Sequence, residues 1–141
     1  VGLQFSIRNG EGTVSAITPI GQLIESFGLP PTFPSKCYIE TENFYCAVPK
    51  EMPQNVLLPD DYLKRKVYTE DDFYVWERSG NRLVPLRIKS AAPIDADHLT
   101  VMKKKLLFIN RYDQKLYQFA MPSSLPTGET KKEPTDSAGE P

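Results

Sequence analysis

The stretch FYVWERSGNRLVPLRI, residues 73–88, decides how the chain is read. Two apolar, β-branched and aromatic runs flank Gly80-Asn81, a turn signal, so the stretch predicts a β-hairpin. A two-residue loop there pairs Phe73 with Ile88, Val75 with Leu86 and Glu77 with Val84. That face is apolar except at its turn end. The opposite face carries Tyr74, Trp76 and Arg78 against Arg87, Pro85 and Leu83. Pro85 has no N–H to give, which predicts an edge strand or a bulge.

Working outward, three more hairpins appear. Leu3, Phe5 and Ile7 alternate along one strand, Asn9-Gly10-Glu11-Gly12 suits a tight turn, and Thr13 to Ile17 returns. Lys36 to Val48 turns near Thr41-Glu42-Asn43. There Cys37, Ile39, Phe44, Cys46 and Val48 share a face that is read as the core side, and Tyr38, Glu40, Tyr45 and Ala47 share the other. Leu106 to Ile109 and Leu116 to Met121 flank the turn Asn110–Gln114.

Helical signals are short. Thr18 as cap, Pro19 at the first helical position, the stripe Ile20, Leu23, Ile24, Phe27 and the stop at Gly28 predict one amphipathic helix packed on the sheet. Asp60 to Lys66 runs from acidic to basic, which favours one or two helical turns. Asp95 is a candidate cap for a further turn through Leu99 to Met102. The expected fold class is therefore α+β: a mostly antiparallel β meander or partial barrel of four hairpins with one short helix. A hairpin followed by a helix is also compatible with a β-grasp-like start.

Length and composition suit one domain, expected over residues 1–121. Residues 122–141 hold only Leu125 and Ala138 as apolar residues and no aromatic, so a disordered tail is expected there. The chain carries −1 overall; two lysines and four carboxylates give the tail −2, which leaves +1 for the rest. That balance gives no bulk attraction to polyanions. No apolar run reaches 18 residues, so no membrane span and a soluble chain are expected. Val1 in place of Met suggests a fragment or processed chain, and the expected compartment is the cytoplasm or nucleus.

Chemistry-bearing motifs are scarce. Cys37 and Cys46 stand nine apart with no second pair and His98 is alone, so no metal and no cofactor are expected. The two cysteines read first as buried reduced thiols, with a cross-strand disulfide as the alternative. Phosphate-cradling and nucleophile-elbow motifs are missing. His98 with Asp95 or Asp97 is a catalytic candidate only inside a pocket, and Asp60-Asp61 and Glu70-Asp71-Asp72 read as solvated acids.

The expected function is that of a non-catalytic protein-interaction module within a larger scaffold or assembly protein. Its candidate partner-binding residues are Tyr74, Trp76, Arg78 and Arg87, extended by Tyr38 and Tyr45, because Trp, Tyr and Arg favour binding hot spots. The alternative is single-stranded nucleic-acid binding by an aromatic and basic sheet face, helped by Lys64-Arg65-Lys66 and Lys103-Lys104-Lys105.

Overall fold

The computed structural model describes residues 2–8, 11–25 and 32–122. Antiparallel strands dominate it, in three separate sheets that do not close into a barrel. β1 (Gly2–Arg8), β2 (Glu11–Ile17) and β3 (Leu23–Glu25) make the first sheet. A 3-10 turn, Pro34–Lys36, leads into β4 (Cys37–Ile39) and β5 (Asn43–Pro49). A single-turn helix α1 (Asp60–Leu63) precedes β6 (Asp71–Glu77) and β7 (Arg82–Leu86), and the second sheet runs β4-β5-β6-β7. β8 (Ala96–Met102), β9 (Lys105–Asn110) and β10 (Lys115–Ala120) form the third, ordered β10-β9-β8.

The core lies between the second and third sheets. Tyr45, Ala47, Phe73, Val75, Val84 and Leu86 face Leu99, Val101, Leu106 and Phe108. Phe108 is the hub, with ring centroids 5.2 Å from Phe73, 5.7 Å from Tyr117 and 5.9 Å from Phe119. The second sheet is buried on its other face too, where Phe44, Cys46, Val48 and Trp76 are all sealed. This explains the unbroken apolar run Phe44-Tyr-Cys-Ala-Val48: a strand covered on both faces has no polar side to alternate with.

The four expected hairpins all form. The hairpin over residues 73–88 is displaced by two residues, pairing Phe73 with Leu86, Val75 with Val84 and Glu77 with Arg82. A four-residue turn closed by Asn81 N–H donating to Arg78 O replaces the two-residue loop. A shift of two preserves the period-2 faces, so the sorting of side chains survives. β7 with Pro85 is an edge strand, as proline requires.

Three expectations are corrected. The helix from Ile20 does not form: Thr18 N–H donates to Gln22 O, Gly21 adopts φ +84°, and the chain reverses into β3, leaving Ile20 exposed. Phe27 and Gly28, the end of that stripe, lie outside the described residues. Without this helix the β-grasp-like start is lost as well. The turn through Leu99 to Met102 is strand β8, whose register on β9 is irregular between Asp97 and Thr100. Cys37 and Cys46, expected first as reduced thiols, face each other across β4 and β5 and form a disulfide with Cα atoms 4.1 Å apart. Of the expected tail, residues 122–141, all but Pro122 lie outside the described residues.

Candidate functional site

The six candidate partner-binding residues do not form one surface. Trp76 stands opposite Phe44 on β5 and Leu83 on β7, with its ring 5.3 Å from that of Phe44, and it is only 1% exposed. It is core, because the face read as outward is covered. Tyr38 and Tyr45 are cross-strand partners on the opposite face, packed with Val75, so they cannot extend a Tyr74 patch. Tyr45 is buried, Tyr74 half-buried, and Arg78 and Arg87 are exposed beyond the paired strands. His98 is exposed as well, its side chain 74% accessible beside Asp97. No cluster of metal ligands occurs among the described residues.

A different constellation gathers where the 3-10 turn, α1 and the ends of β6, β8 and β9 meet. Lys36, the last residue of the 3-10 turn, is fully buried. Its Nζ donates to Asp71 Oδ2 (2.5 Å), Asp95 Oδ1 (2.7 Å) and Ala96 O (2.8 Å), which uses all three protons. Arg111 Nη1 donates to Asp95 Oδ2 at 2.7 Å, and Tyr62 Oη donates to Asp95 Oδ1 at 3.0 Å. The remaining carboxylate lone pairs accept from Thr69 N (2.8 Å), Thr69 Oγ1 (2.8 Å) and Ala96 N (2.8 Å). Two cations meet two carboxylates; Lys36 spends all three protons here and Arg111 donates to Asp95, Val67 O and Tyr62 O, the kind of pairing under which buried charge is tolerated.

Burial is the largest influence on both carboxyls and raises both. For Asp71 it wins, so that group lies above the usual carboxylate range despite Lys36. For Asp95 the opposing charge and hydrogen bond of Lys36, the Thr69 N–H and Arg111 outweigh burial, and the group lies below that range. Burial, then the Asp95 carboxylate, pushes the Tyr62 hydroxyl far above the phenol range, so it stays a donor. The charged groups of this cluster are turned on one another and buried. Its chemistry is that of a brace.

The brace supports a groove. Thr69, held through its N–H and hydroxyl, is flanked by Tyr68 and Glu70, and Asn110 fixes the turn that carries Tyr112 by accepting from Tyr112 N at 3.2 Å. Tyr68 and Tyr112 stack with centroids 5.2 Å apart, the Arg111 guanidinium lies 4.9 Å from the Tyr68 ring, and Tyr112 Oη donates to Thr69 O at 2.8 Å. Desolvation, then the carboxylates of Asp95, Glu70 and Asp71, raises the Tyr112 hydroxyl and keeps it protonated. The two rings are 41% and 45% exposed. With Lys50, Met52, Pro53 and Glu70 they line an open groove of about 830 Å³. Lys50 and Glu70 pair across its rim at 3.0 Å. The groove offers π faces and a polar rim, and its one hydroxyl besides the tyrosines, that of Thr69, is committed to Asp71.

Sequence reasoning missed Lys36, Tyr62, Asp95 as a buried group, Tyr68, Arg111 and Tyr112, and it read Asp71 as a solvated acid where the structure buries it against Lys36. A charged residue inside an apolar strand start, as in Ile94-Asp95-Ala96, is the one local signal that marks a buried partner. No family model matches the chain, and no curated protein or solved structure matches it either.

Proposed function

We propose that the chain is a non-catalytic protein-interaction module that takes an extended partner segment on the Tyr68–Tyr112 pair. The observation that carries this reading is the stacked, half-exposed tyrosine pair set on a buried ion cluster. A rigid aromatic floor binds at low entropic cost because its side chains are already ordered. Aromatic-lined grooves suit extended, proline-bearing peptides, whose backbone is likewise preordered. The module sits in a larger scaffold or assembly under this reading.

Single-stranded nucleic acid is the weaker reading. Trp76 is not available for stacking, and Glu51 and Glu70 stand at the groove where a phosphate backbone would run. The Cys37–Cys46 bond favours an oxidising compartment over the cytoplasm or nucleus, since cytosolic thiols are kept reduced. No helix among the described residues is long and apolar enough to cross a membrane.

Selection from a displayed library of proline-bearing peptides against the intact chain tests the function. Binders that lose at least tenfold affinity on Tyr68→Ala, with the melting temperature held, support it. A selection that yields no binder dependent on Tyr68 rejects it.

A further inference from the structure

Among the described residues the outer edge of β10 is open. The register from Lys115↔Asn110 to Ala120↔Lys105 continues with Met121 N–H donating to Lys104 O at 3.0 Å. Residues 115, 117, 119 and 121 therefore direct their peptide groups at β9, and Leu116, Gln118 and Ala120 direct theirs away from it. β9 is the only strand paired with β10 among the described residues. Natural edges are commonly blocked by proline, bulges or charge. β7 has Pro85, whereas β10 has a continuous register, no proline, and a single charge, Lys115, at its first position. Its solvent face shows Leu116, 70% exposed, with Gln118 and Ala120 beside it.

We propose that this edge pairs with β10 of a second copy of the chain, antiparallel, about a two-fold axis at Gln118. The strand is self-complementary in that register alone in three respects. All three outward-facing residues meet outward-facing residues: Gln118 meets Gln118 of the second copy, and Leu116 meets Ala120, giving about six backbone hydrogen bonds. Tyr117 falls opposite Phe119 of the second copy, which prolongs the ring row in which Tyr117 and Phe119 already stack at 6.5 Å. Lys115 falls opposite Met121 of the second copy, so no like charges face each other. The result is a continuous six-stranded sheet made of two copies of β8-β9-β10.

Sedimentation velocity on the full chain across a concentration series tests this. The expected result is reversible dimer formation, its loss in both Gln118→Lys and Gln118→Glu with unchanged melting temperature, and its return when the two variants are mixed, because lysine then faces glutamate across the axis. A wild type that stays monomeric at the highest soluble concentration overturns the proposal. So does a dimer that persists in both charge variants.

Discussion

Arg111 holds Tyr62 in two ways at once: its guanidinium lies 3.6 Å from the centroid of the Tyr62 ring, and its Nη2 donates to the Tyr62 carbonyl at 2.5 Å. The same guanidinium reaches Asp95 through Nη1. A planar fork with several fixed donors is what lets one side chain fasten α1, β8 and the β9–β10 turn together. Arg111→Lys keeps the charge but not the fork, and is expected to cost about 1–3 kcal/mol in urea unfolding. Arg111→Ala takes one of two cations from the buried Asp95, leaving Lys36, and is expected to cost up to about 3–5 kcal/mol.

Lys36→Met leaves two buried carboxylates without their shared cation, at a cost of about 3–5 kcal/mol. Replacing the carboxylate along with the cation removes that imbalance. Lys36→Met combined with Asp71→Leu is expected to recover part of the loss, a non-additivity that a double-mutant cycle reads directly. Equal, additive losses would show that the Lys36–Asp71 contact carries no coupling.

The acid limb of stability follows from the two carboxyls. Asp95, held below its ordinary value of 3.8, contributes stability above that pH and loses it as pH falls through its folded value. Asp71, raised above 3.8, contributes stability that is complete below 3.8 and is lost as pH rises through its folded value. Melting temperature is therefore expected to climb slightly from neutral pH toward the ordinary carboxyl range and to fall beneath it. Asp71→Asn should abolish the climb and keep the fall, which thermal melts across an acid series will show.

Reduction of Cys37–Cys46, nine residues apart, frees a short loop. Loop closure on that scale is worth about 2–3 kcal/mol. The expected outcome is a matching loss of stability with dithiothreitol and no further loss when it is added to the Cys37→Ala, Cys46→Ala double variant.

Trp76→Ala is expected to cost about 3–5 kcal/mol, the range for emptying a large core site. As the chain's one tryptophan, Trp76 should emit at short wavelength and resist iodide quenching until unfolding. A red-shifted, readily quenched emission in the native state would contradict its burial.

The hairpins were legible because period-2 alternation and turn residues are local signals. Parity was legible too: Tyr74, Trp76, Leu83 and Pro85 do share a face. Which face is core was not, because the second sheet is buried on both faces and hydrophobicity no longer discriminates between them. Ile20 to Phe27 has helical spacing, but Gly21 in the left-handed region breaks the run before a turn of helix can close. The ion cluster left almost no local trace. Lys36 stands between Ser35 and Cys37 with nothing to mark it, and its partners lie 35 and 59 positions away. Tyr68 and Tyr112 are 44 residues apart, and only the folded chain brings their rings together.

That distance along the chain has a consequence for how the protein can come apart. The cluster draws on the 3-10 turn, α1, the start of β6, the start of β8 and the turn after β9, so it closes only when residues 36–111 are in place. A fragment that keeps Asp95 but ends before Arg111 or begins after Lys36 holds a buried carboxylate that has lost one of its two cations. The two sheets packed on the core share this closure, so loss of either end of the clamp is expected to weaken both together.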